Sequence, residues 1–112
     1  MPFIDCKLNV DLTKEQETAL KDEFGKAISL IPGKSENWLM VNIQPRCSLY
    51  FRGSSDLPTA MVSVMIYGKA NPTAYDALTD RFNTILSSVA GIKNMYVSYS
   101  ETSNFGFNGS NF

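Results

Sequence analysis

The stretch 59–100, TAMVSVMIYGKANPTAYDALTDRFNTILSSVAGIKNMYVSYS, decides how the chain folds. It opens with TAMVSVMIY, a run of apolar and β-branched side chains of strand character. Asn71 and Pro72 then supply a helix cap and a first helical residue that needs no N–H. Behind them Tyr75, Leu78, Phe82, Ile85, Leu86 and Val89 recur at helical spacing until Gly91, and MYVSYS at 95–100 reads as a second strand. The stretch is one β-α-β unit.

Moving outward towards the N-terminus, the same plan recurs. In FIDCKLNV at 3–10, Ile4, Cys6, Leu8 and Val10 alternate with Asp5, Lys7 and Asn9, the period of a strand with one polar face. Thr13 with Gln16 is a capping-box pair, and Leu20, Phe24, Ala27, Ile28 and Ile31 stripe a helix that Pro32 and Gly33 stop. WLMVNI at 38–43 reads as the second strand of this unit, SLYFR at 48–52 as a shorter one, and GSSDLP at 53–58 as a loop. The expected fold is therefore α+β: two β-α-β repeats, about 2–43 and 59–100, form a four-stranded mixed sheet with two helices on one face. Residues 101–112 remain as a C-terminal segment, and 1–112 is one domain. WLMVNI, AMVSVMIY and MYVSY are apolar on both alternating sets, as in strands buried on both faces. Two helices cover only one face, so a second copy of the chain is the expected cover for the other.

Composition narrows the function. Ten basic and eleven acidic residues leave no basic stripe for a nucleic acid. The longest apolar run, AMVSVMIY, is far short of the roughly 18 residues that span a membrane, and Asp5 and Lys7 interrupt any leader-like segment. The chain reads as cytoplasmic, with export by a leaderless route as the alternative. Cys6 and Cys47 form no CxxC, and with no histidine in the chain no Cys/His metal site can be built, so neither metal nor cofactor is expected. Cys6 lies on the apolar face of its strand, as a buried small hydrophobe would. Proton chemistry near neutral pH would need a group other than imidazole.

Several short motifs share one resemblance: MPFI at the start, Gly33–Lys34, GSSD at 53–56, YGK at 67–69, MYVSY at 95–99 and GFNGSNF at 106–112. Together, in order and spacing, they resemble the macrophage migration inhibitory factor family of the tautomerase superfamily, with one extra residue near Leu57. The resemblance implies a homotrimer around a central channel, with active sites at subunit boundaries and the C-terminal segment reaching a neighbour. It also implies that Pro2, exposed when Met1 is removed, is the catalytic base. An α-amino group titrates near pH 8, and desolvation lowers an amine towards the pH where acid–base catalysis is most effective. Without the resemblance, Pro2 is only a proline tolerated at the start of a strand. A retained Met1 would make its nitrogen a non-basic amide.

The remaining site residues are implied by position in the family. Lys34 matches a lysine that binds the carboxylate of an α-keto acid, Tyr67 a residue whose backbone N–H contacts substrate, and Tyr96 a tyrosine given by the adjacent subunit. Trp38, Phe105 and Phe107 match pocket walls, although Trp38 reads equally well as core. Ser98 stands where mammalian members carry asparagine and Phe107 where tryptophan is common, which implies a different substrate preference. Thr59 and Val62 occupy the family's CxxC positions, so thiol oxidoreductase activity is not expected. Leu12 and Arg46 occupy the positions of a charged receptor-binding pair, one charge lost and one reversed. The implied activity is keto–enol tautomerisation of phenylpyruvate-like or dopachrome-like substrates. The alternative is a secreted, cytokine-like ligand for a host or self receptor, with a vestigial site. Asn108 of NGS reads as a C-terminal turn.

Overall fold

The computed structural model describes residues 1–112. Strand β1 (Pro2–Leu8) leads into helix α1 (Lys14–Ala27), which passes through two short 3-10 turns at Ile28–Leu30 and Glu36–Trp38 into β2 (Met40–Gln44). Strand β3 (Thr59–Tyr67), helix α2 (Pro72–Ala90) and β4 (Asn94–Thr102) repeat the plan, and a small hairpin, β5 (Gly106–Phe107) with β6 (Ser110–Asn111), ends the chain. The sheet order is β2-β1-β3-β4. The outer pairs are parallel and the central β1–β3 pair antiparallel, so two crossover units meet at the middle of a mixed sheet.

The caps form as their residues require. Thr13 accepts from the Gln16 N–H while the Gln16 side chain accepts from the Thr13 N–H, at 3.1 and 2.8 Å. Asn71 accepts from the Ala74 N–H at 2.9 Å, and Pro72 opens α2 where its missing N–H costs nothing. Gly91 closes that helix with φ 65°, a left-handed conformation that favours glycine.

Both helices lie on the face formed by Ile4, Cys6, Leu8, Val62, Val64 and Ile66, and Phe24 of α1 meets Phe82 of α2 edge-on at 5.3 Å above it. Each fully buried Val, Leu, Ile or Phe among them contributes about 1.5–3 kcal/mol. The expected fold class holds, with two corrections. SLYFR is not a strand: only one bridge, Phe51 to Ser54, forms around the Arg52–Gly53 turn, because no strand of the same chain lies beside Ser48–Tyr50. Trp38 belongs to a 3-10 turn ahead of β2 rather than to the strand itself.

The open face also differs from a uniformly apolar one. Register places Met40, Phe3, Met65 and Ser100 in one row, Asn42, Asp5, Ser63 and Ser98 in the next, and Gln44, Lys7, Met61 and Tyr96 in a third. A polar row thus separates a largely apolar row from a half-polar one. Asp5 accepts from Lys7 at 2.6 Å and from Asn42 at 2.8 Å. Burial would raise its carboxyl, yet these bonds together hold it below the ordinary range.

Candidate active site at the start of the first strand

Pro2 begins β1 opposite Ile66, near the C-terminal end of β3, and is itself buried. The next residue of β3, Tyr67, brings three segments together through its backbone. Its N–H donates to the Met1 carbonyl at 3.1 Å, and its own carbonyl accepts from Lys34 Nζ at 2.7 Å. Lys34 reaches this point because Pro32 and Gly33 end the α1 segment. Gly33 takes φ 83°, and the Lys34 N–H bonds back to the Ile31 carbonyl at 3.1 Å. The amino group of Met1 lies in the same place. Partial burial, by disfavouring the charged form, and then the nearby Lys34 ammonium, by repulsion, lower it from the usual α-amino range.

Beside this junction is an aromatic cluster. Trp38 meets Phe107 edge-on at 5.4 Å and Phe112 at 6.4 Å, and Phe112 lies 5.9 Å from the Tyr67 ring. Trp38, Phe107 and Phe112 are 52, 46 and 56 % exposed, which assigns Trp38 to the surface cluster and not to the core. The turn that presents Trp38 rests on α1 at Gly25, where a methyl group would collide with the Glu36 carboxylate. Phe107 is delivered by the hairpin. Asn108 and Gly109, at φ 47° and 97°, make the tight two-residue turn that Asn-Gly favours, so Asn108 is the turn residue expected. Phe105 lies at the base, its carbonyl accepting the Phe112 N–H at 2.9 Å. Phe112 is absent from the sequence-derived site. Reading Asn-Gly as a two-residue hairpin would have found it, since that register sets Phe112 opposite Phe105.

Tyr96 and Ser98 are elsewhere. Tyr96 pairs with Met61, five residues before Ile66, which puts it roughly 17 Å along β3 from Pro2. It is exposed and leans edge-on against Phe51 at 5.8 Å, whose ring also carries the Arg52 guanidinium at 5.1 Å. Two surface cavities of about 220 and 260 Å³ lie at that far end, lined in part by Phe51, Thr59 and Asn94, and neither touches Pro2. Within one chain, then, Pro2, Lys34, Tyr67, Trp38, Phe105 and Phe107 share one end of the sheet, while Tyr96 and Ser98 do not reach it.

The other motif residues lie away from this junction. Thr59 is largely buried and Val62 is core. Cys6 is buried and its thiol is pushed up to about 12, chiefly by desolvation, so it is inert as a nucleophile. Arg46 pairs with Asp11 at 2.6 Å, both exposed. No group of histidine, cysteine, aspartate and glutamate side chains is arranged to hold a metal, and no helix is long and apolar enough to cross a membrane.

The model of the macrophage migration inhibitory factor family matches residues 1–112, the whole chain. The chain belongs to the macrophage migration inhibitory factor family. Its fold is that of the tautomerase superfamily. Among solved structures it is similar to MIF2 of Leishmania major, at 29 % identity and a TM-score of 0.91, covering 100 % of this chain and 97 % of that one. A macrophage migration inhibitory factor-like protein of Entamoeba histolytica shares 23 % identity with a TM-score of 0.85, over 99 % and 98 % of the two chains. The macrophage migration inhibitory factor of Toxoplasma gondii shares 21 % with a TM-score of 0.89, over 98 % and 99 %. These last two likenesses are of fold. No curated protein sequence matches the chain.

Proposed function

We propose that the chain is a keto–enol tautomerase of phenylpyruvate-like or dopachrome-like substrates, with Pro2 as general acid and base once Met1 has been removed. The observation that carries this reading is the Tyr67 backbone, which binds the Met1 carbonyl with its N–H and the Lys34 ammonium with its carbonyl. Removal of Met1 converts the Pro2 nitrogen from an amide to a secondary amine and frees the Tyr67 N–H for a substrate oxygen. Lys34 then stands ready for a carboxylate, as a compact ammonium suits.

In ketonisation, neutral Pro2 takes the enol hydroxyl proton, the electron pair restores the carbonyl, and the ammonium so formed returns the proton to the adjacent carbon. Atoms and charge balance without a cofactor. The Tyr67 N–H supports negative charge developing on the oxygen. Partial burial and Lys34 lower the Met1 amine, and the same surroundings would keep the Pro2 amine basic near neutral pH. Trp38, Phe105, Phe107 and Phe112 would form the apolar wall for an aryl group.

The site is completed, in this reading, by a homotrimer. Tyr96 and Ser98 are too remote from Pro2 of their own chain to act there, the face bearing Phe3, Met40, Met61 and Met65 has no cover, and Ser48–Tyr50 has no strand beside it. A neighbouring copy answers all three. We place the enzyme in the cytoplasm, with leaderless export as the alternative.

The test monitors the ultraviolet absorbance of enolic phenylpyruvate with protein whose N-terminus has been verified by intact mass. The processed protein should sediment as a trimer and turn over. Pro2→Gly should lose about 100-fold or more in kcat without unfolding, as loss of a general base does. Turnover by a chain that keeps Met1, or a monomer at micromolar concentration, would overturn the reading.

A further inference from the structure

We infer that Glu101 is a positioning residue for this chemistry, tethering the Gly68–Asn71 loop so that the Tyr67 backbone stays aligned with Lys34 and the N-terminus. The inference rests on the tautomerase reading. Tyr67 is the last residue of β3, so the loop after it must hold its carbonyl in place. Gly68, at φ 86°, lets that peptide plane turn easily, and besides Lys34 its N–H bond to the Thr102 carbonyl, at 2.9 Å, restrains it. Beyond Gly68 the loop passes over a cavity of about 250 Å³ lined by Gly68, Lys69, Glu101, Thr102 and Ser103, with no apolar side chain among them. Ala70 packs against the core, and hydrogen bonds set the rest of the loop's position.

Those bonds converge on one atom. Glu101 Oε2 accepts the Ala70 N–H at 3.2 Å and the Tyr75 hydroxyl at 2.6 Å. Tyr75 is itself fixed, since its ring stacks on Tyr99 at 4.3 Å and 24°. The Tyr99 hydroxyl donates to the Tyr75 carbonyl at 3.1 Å and meets Thr79 Oγ1 at 2.7 Å. One carboxylate oxygen thus ties the loop to a tyrosine stack seated on α2 and β4. The Tyr75 bond, and then the Ala70 N–H, hold the Glu101 carboxyl below its ordinary range, and burial together with the Glu101 bond pushes the Tyr75 phenol up to about 12. An exposed glutamate near the end of a strand is by itself an ordinary solvated residue. Its two bonds at one oxygen give it a task.

The test uses trimeric, N-terminally verified protein carrying Glu101→Ala, Glu101→Gln or Tyr75→Phe. Glu101→Ala should raise KM for phenylpyruvate about fivefold and leave kcat within about twofold, the size of effect expected of a residue that acts through another. It should also move the Pro2 amine titration, read from its ¹⁵N signal, towards higher pH, because Lys34 is the cation beside that amine and is held less closely. Glu101→Gln keeps an acceptor for both donors and should behave as wild type, with Tyr75→Phe between the two. Amide exchange at Ala70 should quicken in Glu101→Ala. The inference is overturned if Glu101→Ala matches wild type in KM and titration, or if Glu101→Gln is as impaired as Glu101→Ala, which would assign the effect to charge. If Glu101→Ala fails to fold, Tyr75→Phe carries the test. A wild-type protein without turnover would sink the tautomerase reading, while Ala70 exchange and the amine titration would still decide the tether.

Discussion

The two β-α-β units share a plan and differ in how the helix returns to the sheet. In the second unit α2 stops at Gly91 and β4 begins at Asn94. In the first, α1 runs through a 3-10 turn, a left-handed Gly33 and a second 3-10 turn before β2 begins at Met40. The long return carries Lys34 and Trp38, and the short one carries no candidate site residue. The short return only turns the chain, and its one apolar side chain, Ile92, is buried. The longer return presents a charge and an indole at the surface on a rigid base. The repeat supplies Pro2 and Tyr67 at its strand ends, and the long return adds a charge and an indole beside them.

Three substitutions test that division. Phe82→Ala should have the largest effect. Phe82 is fully buried against Phe24 of the other unit, so its loss should cost about 3–5 kcal/mol and shift one cooperative urea transition. Two separate transitions would instead mean that the units do not share a core. Next is Lys34→Ala in the long return. KM for a keto acid should rise about tenfold, with stability changed by less than about 0.5 kcal/mol. The sign of the pH effect comes from the lowered amine: removing the cation removes one cause of the lowering, so the rise of activity with pH should move upward, towards the value near 8 of a free α-amino group. A shift to lower pH would separate Lys34 from the amine. Gly91→Ala, in the short return, should be smallest in consequence for function. Its left-handed φ of 65° makes a side chain cost about 1 kcal/mol by thermal or urea unfolding, while kcat/KM stays as in wild type. An equal loss of activity would erase the distinction between the two returns.

Much of the scaffold is legible in the chain itself. The alternation of Ile4, Cys6 and Leu8, the Thr13–Gln16 capping box, the Asn71–Pro72 start and the Gly91 stop each encode a local conformation, and each appears where expected. SLYFR misleads because alternation reports strand character but not whether a strand lies alongside, and in one chain none does. The open face reads as apolar when MVSVM and MYVSY are weighed as runs. Register places Ser63 and Ser98 in one polar row with Asp5 and Asn42.

Periodicity and capping, being properties of neighbouring residues, specify the repeat and its caps, whereas the amine, the ammonium and the aromatic wall are legible only through the resemblance carried by the short motifs. Tertiary structure decided the rest. The motif match points to the Tyr67 backbone N–H, but the residue's backbone partners, the Met1 carbonyl and Lys34, come from distant segments that no local pattern links. Phe112 and Glu101 gain their places from partners far from them in sequence or across a turn, Trp38 and Tyr67 for the one, Ala70 and Tyr75 for the other. Tyr96 is separated from Pro2 by the length of a strand, a distance set by sheet register. Chain-local rules specify which conformations form, whereas convergence in space depends on how the packed elements align.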